Sequence, residues 1–141
     1  VAVGDLKLRE SLYQEILDLF SIPIFPTLIH SSAILYPSVN LFEGVSVLAG
    51  SIIGPNTVIG KFTIINHAVV IDHDCKIESF CNLSPNSSVA GNVTIGHYTF
   101  IGIGASISNG VKISQNSIVG ANTFLNHDLE IPTKYLGKTA R

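Results

Sequence analysis

A single periodicity governs most of this chain. From Ile29 to Glu130, every sixth residue is Ile, Leu or Val, through seventeen consecutive six-residue units without an insertion. These aliphatic residues are Ile29, Leu35, Leu41, Val47, Ile53, Ile59, Ile65, Ile71, Ile77, Leu83, Val89, Ile95, Ile101, Ile107, Ile113, Val119 and Leu125. A period of six fits neither an α-helix nor the strict alternation of one half-buried strand. It is typical of hexapeptide repeats that wind into a parallel β-helix.

Two other positions of the repeat support an all-β solenoid. Four residues after the aliphatic residue the side chain is small in nearly every unit, so the two together can fill a narrow prism. The residue just after the aliphatic one is Gly, Asn, Asp or Ser in eleven of the seventeen units. We expect it to occupy a corner where a positive φ is needed. Three units should complete one triangular coil, which stacks residues eighteen apart at a spacing of about 4.8 Å.

The segments that flank the repeat divide the chain into three parts. Residues 1–28 contain a strand end, a helix and an extended connector, which together predict the remnant of an N-terminal α/β subdomain. Residues 29–130 are predicted to be the β-helix domain, and residues 131–141 a tail that caps its last coil. Because the sequence begins at Val1 and contains no Met, we expect it to be a piece of a longer or processed protein.

The segment Leu6–Phe20 has the spacing of an amphipathic helix. Its predicted apolar stripe consists of Leu8, Leu12, Ile16 and Leu19 or Phe20. Arg9 and the acidic residues of the segment are expected on the other, solvated side of the helix.

Charge and composition exclude several partners. The formal net charge is −2 and charged residues make up 13% of the chain, which favours neither nucleic acid nor an anionic membrane surface as a partner. No apolar run reaches membrane-spanning length, and no secretory signal is visible, so we expect a cytoplasmic protein without membrane insertion. Cys75 and Cys81 both occupy the small inward position, which predicts packing in the core.

The candidates for chemistry are the histidines at the third position of their units, which are His67, His73, His97 and His127. The stacking rule places His73 one strand spacing from Gly91. An imidazole can accept a proton near neutral pH, and a glycine amide can donate to an oxygen that gains negative charge. Asp74 could hold the ring and raise its basicity. The alternative is that His73 is a polar turn residue and the acids beside it are solvated.

A metal site is the other chemistry that histidines could support. Zinc needs at least three converging protein ligands. His67, His73 and His97 belong to three different faces of the predicted prism, so only contacts between subunits could bring them together. We predict no metal site within one chain.

The run from Ile65 to Gly104, with the units around it, closely resembles the left-handed β-helix sugar acetyltransferases. The subgroup is the one that contains the sialic acid O-acetyltransferases and the bacillosamine-pathway N-acetyltransferases. The opening VAVGDLKLR resembles the end of that subgroup's nucleotide-binding subdomain. The tail YLGKTAR resembles its closing G-x-P-A-K/R motif, with Thr139 where Pro is usual.

This resemblance implies a left-handed coil and a homotrimer, with acetyl-CoA lying in the groove between neighbouring subunits. It implies that His73 is the general base, that Asp74 strengthens it, and that Gly91 offers its amide to the thioester carbonyl. It also implies cofactor contacts at Ile103 and Ala121.

Besides Thr139, a further position departs from the family pattern. Bacillosamine-type members carry a second His nine residues after the base, where this chain has Asn82. Asn82 can hydrogen-bond the cofactor or the acceptor, but it cannot take up a proton near pH 7. The family's Gly-rich strand-turn that holds the acceptor nucleotide is also absent from this sequence.

The function that follows is acetyl-CoA-dependent acetylation of an amino or hydroxyl group on a sugar, expected to be nucleotide-linked and used in surface-glycan biosynthesis. The alternatives are a sialic acid O-acetyltransferase, a zinc-dependent hexapeptide protein of the carbonic-anhydrase kind, and a trimeric scaffold without activity.

Overall fold

The computed structural model describes residues 3–137, and these form one helix followed by a solenoid of short strands. The helix, α1, spans Leu6–Leu19, and Asp5 caps its first turn by accepting from the Leu8 amide. The predicted closing motif around Thr139 and the first two residues lie outside the described part of the chain. α1, the helix within residues 3–137, is neither long nor apolar enough to cross a membrane.

Eighteen strands of two residues each lie within residues 3–137. They are β1 Leu28–Ile29, β2 Ile34–Leu35, β3 Asn40–Leu41, β4 Ser46–Val47, β5 Ile52–Ile53, β6 Val58–Ile59, β7 Ile64–Ile65, β8 Val70–Ile71, β9 Lys76–Ile77, β10 Asn82–Leu83, β11 Ser88–Val89, β12 Thr94–Ile95, β13 Phe100–Ile101, β14 Ser106–Ile107, β15 Lys112–Ile113, β16 Ile118–Val119, β17 Phe124–Leu125 and β18 Lys134–Tyr135. The second residue of each strand from β1 to β17 is one of the seventeen predicted aliphatic residues. The hexapeptide pattern and the fold class are therefore confirmed.

The strands form three parallel sheets, one for each side of a three-sided column. Sheet A has the order β1-β4-β7-β10-β13-β16-β18, sheet B has β2-β5-β8-β11-β14-β17, and sheet C has β3-β6-β9-β12-β15. Within each sheet, residues eighteen apart are partners, as in Ile52 with Val70. The last pairing is shorter, because Ile118 pairs with Lys134, sixteen residues further on. The final coil therefore closes with two residues fewer than the others.

The core runs along the axis of the column. The aliphatic residues from Val47 to Leu125 are at most 3% exposed, whereas Ile29 in the first coil is 51% exposed. The small residues beside them are buried too, and their hydroxyl or thiol groups donate to the backbone. Thr57 Oγ1 donates to the Asp72 carbonyl at 2.8 Å, and Cys75 Sγ lies 3.2 Å from the Ala90 carbonyl. The two cysteines are thus packed in the core, as predicted.

The predicted location of the positive φ angles is wrong by two residues. Positive φ occurs at the third residue after the aliphatic one, as in Asn56, Asp74 and Asn92. The glycines just after the aliphatic residue are required for a different reason, because there is no space for a side chain at these positions. A Cβ on Gly96 would lie 2.5 Å from the Gln115 amide nitrogen in the next coil. Glycine serves there because two coils approach closely, not because its backbone is left-handed.

The prediction for the face of α1 that packs inward is right only in part, because Leu12 and Ile16 are partly buried but the rest of the predicted stripe is exposed. Arg9 is fully buried, whereas Leu8 is 50% and Leu19 is 69% exposed. The guanidinium donates to the carbonyls of Phe62 and Cys81, at 2.6 and 3.1 Å. Burial lowers the pKa of Arg9 to about 10. These hydrogen bonds, together with those to the Val3 and Gly4 carbonyls, offset the cost of removing this cation from water.

The other contacts of α1 are aromatic. The ring of Tyr13 lies 4.5 Å from that of Phe62 and 5.2 Å from that of Phe25, measured between centroids. The rings of Phe62 and Phe80 stack at 5.4 Å. α1 is therefore fastened to one corner of the solenoid by aromatic rings together with Arg9.

The two roles of glycine can be separated by unfolding measurements. We expect Gly96→Ala to lower the free energy of unfolding by about 1–3 kcal/mol, because the added Cβ forces two coils apart. Gly110 has φ +73° and open space where a Cβ would sit. Gly110→Asn should therefore leave the free energy of unfolding nearly unchanged, since Asn tolerates this φ. Urea unfolding of both variants at one protein concentration checks this. Equal decreases in the free energy of unfolding of the two variants would contradict the separate roles assigned to Gly96 and Gly110.

Candidate functional site

The third position of the repeat lies in the turns, so it marks the three edges of the column. The turns from sheet B to sheet C carry Pro55, His73, Gly91, Asn109 and His127, which we call the His73 edge. The turns from sheet A to sheet B carry His67, Pro85, Ile103 and Ala121, which we call the Ile103 edge. Lys61, Ser79, His97 and Gln115 form the third edge.

His73 and Asp74 form a hydrogen-bonded pair on the His73 edge. Nδ1 of the ring lies 2.7 Å from Asp74 Oδ2, and the two side chains are 45% and 46% exposed. This hydrogen bond is the main reason that the pKa of His73 is raised above its ordinary value, and the nearby Asp72 carboxylate adds to it. Asp74 therefore engages Nδ1 of the ring, which leaves Nε2 available to another group.

Gly91 lies directly against the ring of His73. A Cβ built on Gly91 would stand 2.6 Å from both Cε1 and Nε2 of the imidazole, so only glycine leaves room for the ring in this position. The carbonyl of Gly91 accepts from the Gly110 amide and from Asn109 Nδ2, at 3.0 and 2.7 Å. Its amide donates to no group among residues 3–137. A proton acceptor and an unused N–H donor thus adjoin on this edge.

Asn82 lies elsewhere. It is the first residue of β10 in sheet A, and it is 7% exposed. Its Nδ2 donates to the Gly4 carbonyl at 3.2 Å, and its Oδ1 accepts from Asn66 Nδ2 at 2.8 Å. In the single chain its partners are therefore the segment before α1 and the neighbouring coil. Its predicted role at the cofactor stays a prediction.

Ile103 and Ala121 lie one above the other on the Ile103 edge, away from His73. Ile103 is 55% exposed, and its carbonyl accepts from the Asn122 amide at 2.8 Å. Ala121 lines an open depression of about 410 Å³ together with Phe124, Tyr135 and Leu136. Both residues are accessible to a ligand, but a ligand on this edge does not reach the His73 edge of the same chain without crossing sheet B.

A second depression adjoins the His73 edge itself. It has a volume of about 560 Å³, and Asp72, Ala90, Ser108 and Asn109 line the side nearest His73. The remaining lining residues come from the outer face of sheet B. In the single chain the depression is an open groove on the surface.

The other histidines have different surroundings. His97 Nδ1 accepts from the Ser79 amide at 3.2 Å, and its Nε2 lies 3.2 Å from Glu78 Oε2. The ring of His127 packs edge-on against Tyr135. No group of three His, Cys, Asp or Glu side chains within residues 3–137 converges as metal ligands. A zinc site would therefore need ligands from more than one chain.

One residue of the site escaped the sequence reasoning. Asn56 Nδ2 donates to Asp74 Oδ1 at 3.1 Å, from the coil that precedes His73. The signal was available, because residue 56 is eighteen positions before Asp74 and stacking brings the two together.

Comparisons with known proteins agree on the family of the fold. Residues 50–85 match the family model for bacterial transferase hexapeptide repeats. Perosamine N-acetyltransferase from Caulobacter crescentus, solved as a variant with CoA and GDP-perosamine, has a TM-score of 0.87 at 41% identity. The acetyltransferase domain of PglB from Neisseria gonorrhoeae, solved with acetyl coenzyme A, has a TM-score of 0.87 at 29% identity.

These matches cover nearly all of this chain but only part of the other proteins. The Caulobacter comparison covers 92% of this chain and 60% of that one, and the Neisseria comparison covers 92% and 62%. WeeI from Acinetobacter baumannii, at 21% identity and a TM-score of 0.69, supports the fold alone. Comparison with curated protein sequences gave no match. The chain therefore spans about three fifths of the length of the solved proteins it matches.

The raised pKa of His73 can be measured directly. We expect its ring to titrate above 6.5, the ordinary value, because Asp74 accepts from the protonated form. Asp74→Asn should lower the pKa towards the ordinary value, and Asp72→Asn should lower it less. NMR titration of the histidine rings, assigned by the signal that is lost in His73→Gln, checks this. A larger shift in Asp72→Asn than in Asp74→Asn would contradict the pairing.

Proposed function

We propose that this chain, which carries a hexapeptide transferase domain, is an acetyl-CoA-dependent acetyltransferase acting on an amino or hydroxyl group of a nucleotide-linked sugar. The observation that carries the proposal is the contact between the His73 ring, held by Asp74, and Gly91. The imidazole that we propose as the base thus adjoins an amide that has no acceptor among residues 3–137, which supports the proposal.

His73 acts as the general base. Asp74 can only accept, so the Nδ1–H of the neutral ring donates to it and the lone pair remains on Nε2. Nε2 takes the proton from the acceptor's amine or hydroxyl as that group attacks the thioester carbon. The tetrahedral intermediate then expels the sulfur, the C–S bond breaks, and the proton passes from Nε2 to the departing thiolate. The products are the acetylated sugar and CoA.

Gly91 supplies the stabilisation of the oxyanion. The thioester oxygen gains negative charge when the tetrahedral intermediate forms, and the amide of Gly91, which adjoins the ring and has no acceptor among residues 3–137, can donate to it. Removal of one such donor typically raises the barrier by about 2.7–4 kcal/mol. A backbone donor needs no side-chain rearrangement during the reaction, and the carbonyl of the same peptide unit, that of Ala90, is held by Cys75 Sγ at 3.2 Å.

The acceptor is proposed by likeness to the relatives. The Caulobacter protein is a perosamine N-acetyltransferase that was solved with GDP-perosamine. A nucleotide-linked amino sugar is therefore the first acceptor class for this chain, and surface-glycan biosynthesis is the context that we propose. An O-acetyltransferase acting on sialic acid is the alternative within the same chemistry.

The proposed assembly is a homotrimer. His73 and Gly91 lie on one edge, whereas Ile103 and Ala121 lie on another. If all four contact one molecule of acetyl-CoA, two of them must come from a neighbouring copy of the chain. The groove beside the His73 edge, which lacks a second wall in the single chain, is then closed by that neighbour.

Two rivals from other classes have separate tests. A zinc enzyme of the carbonic-anhydrase kind would carry stoichiometric metal in the purified assembly, with ligands from several chains. An inert scaffold would form the trimer and yet show no acetyl-CoA binding by calorimetry. The acetyltransferase proposal requires binding in that experiment.

Removing the base gives the first kinetic test. We expect His73→Ala to lower kcat by about 10²–10⁴-fold, the range for loss of a general base. GDP-perosamine, the ligand of the Caulobacter relative, serves as the first acceptor probe with acetyl-CoA. His97→Ala, on the third edge, is the matched control and should retain the wild-type rate. Near-wild-type turnover by His73→Ala would remove this residue from the mechanism.

A second kinetic test concerns the space above the ring. Gly91→Ala should lower kcat by at least about tenfold, because a methyl group 2.6 Å from the imidazole must push the ring out of position. The displaced atoms belong to a half-exposed side chain, so we expect the melting temperature to change little. Unchanged turnover in a folded Gly91→Ala protein would contradict the proposed contact.

A further inference from the structure

Asn56 lies one coil before the catalytic pair, on the same row of the column as Asp74. Its Nδ2 donates to Asp74 Oδ1 at 3.1 Å, while His73 Nδ1 lies 2.7 Å from Asp74 Oδ2. Each carboxylate oxygen therefore has its own partner. The orientation of the Asn56 amide follows from chemistry, because a carboxylate only accepts and the amide must present its NH₂ group to it.

An exposed carboxylate with a single partner can turn about its side-chain bonds. Asp74 is 46% exposed, and the His73 ring alone would hold only one of its oxygens. A second hydrogen bond, from a different coil, restricts that rotation. It keeps Oδ2 facing the ring, and so it keeps the ring's Nε2 facing Gly91.

Asn56 is itself held in place by its backbone. Its φ is +58°, a conformation that Asn adopts more readily than most residues. Its backbone N–H donates to Ser38 Oγ at 2.9 Å in the preceding coil. The Asn56 side chain therefore projects from a restrained turn, and this fixes the direction from which its side-chain NH₂ group approaches Asp74.

We propose that Asn56 is a positioning residue for the acetyl transfer, which acts by holding the carboxylate that orients the general base. The proposal rests on the proposed function of His73. Asn56 touches neither the ring nor Gly91, so its effect passes through Asp74.

The charged groups around the ring are few. Asp74 and Asp72 face it from its own turn, and Asp72 Oδ1 accepts from the His73 amide at 2.8 Å. The preceding coil presents the neutral Asn56, and the following coil presents Gly91. A change in the titration of His73 on substitution at Asn56 therefore reports on Asp74.

The test compares two substitutions that should shift the pKa of His73 in opposite directions. Asn56→Ala removes the restraint on Asp74, weakens its hydrogen bond to the ring, and should lower the pKa of His73. Asn56→Asp adds a second negative charge beside the pair and should raise it. If Asn56 only tuned the charge of Asp74, its removal would make that carboxylate a stronger acceptor, and Asn56→Ala would raise the pKa of His73.

Kinetics supply the second readout. We expect Asn56→Ala to lower kcat by about three- to tenfold, a part of what a hydrogen bond to a charged group is worth, with the KM for acetyl-CoA unchanged. The acid limb of the kcat profile should move with the pKa of His73 in each variant. A change in KM alone, with kcat preserved, would overturn the proposal.

Asn116→Ala is the matched control. Asn116 occupies the same position of its repeat with φ +57°, on the third edge, and its side chain makes no hydrogen bond within residues 3–137. It should retain both the wild-type rate and the wild-type pKa of His73, which separates loss of contact from strain at this φ. Equal effects of the two alanine substitutions would overturn the proposal.

The NMR titration also separates this inference from the proposed function. If the wild-type protein does not turn over acetyl-CoA, the enzymatic proposal fails, while the pKa of His73 in Asn56→Ala still decides whether Asn56 holds Asp74. A pKa that is unchanged or raised in that variant would overturn the role of Asn56, whatever the activity of the wild type.

Discussion

Backbone hydrogen bonding between successive coils is the constraint on which the rest of the molecule depends. The Ile52 amide donates to the Val69 carbonyl at 2.9 Å, and the Gly54 amide donates to the Ile71 carbonyl at 2.8 Å. Because each strand has only two residues, neither strand nor turn can absorb an inserted residue without shifting later side chains off their rows. The uninterrupted period of six therefore keeps equivalent side chains in rows as far as Leu125, and the last coil, in which Ile118 pairs with Lys134, departs from it. The period also sets the distance between stacked residues in adjacent coils, whatever the identity of their side chains.

That independence explains how much of the site could be predicted. The contact between His73 and Gly91 follows from a difference of eighteen in residue number, with no knowledge of side-chain chemistry. Asn56 and Asp74 obey the same rule in the other direction. The location of the positive φ angles could not be read in this way, because glycine is enriched in the repeat for two reasons. Gly96 yields space to the next coil, whereas Gly110 adopts a left-handed backbone, and composition alone does not separate the two.

The contacts of α1 lie beyond any periodicity. Arg9 reads as a surface residue because cations on helices are usually solvated, yet its guanidinium lies among the carbonyls of Phe62 and Cys81. Those carbonyls belong to residues more than fifty positions away, and nothing in the repeat marks them as partners of a helix residue. Asn82 is a similar case, since its side-chain Nδ2 donates to the carbonyl of Gly4, which is 78 residues earlier in the chain. Where the repeat meets a non-repeating segment, tertiary contacts decide the role of each polar residue.

The division of candidate residues between two edges is itself a constraint on assembly. A contact that joins the His73 edge of one copy to the Ile103 edge of the next uses two different surfaces, so it is heterologous. Such a contact continues into a filament unless its rotation closes. A rotation of a third of a circle between successive copies would close three of them into the proposed homotrimer. In that trimer each groove would receive the proposed base and amide donor from one copy and the exposed Ile103 edge from another, an arrangement that a monomer would not provide.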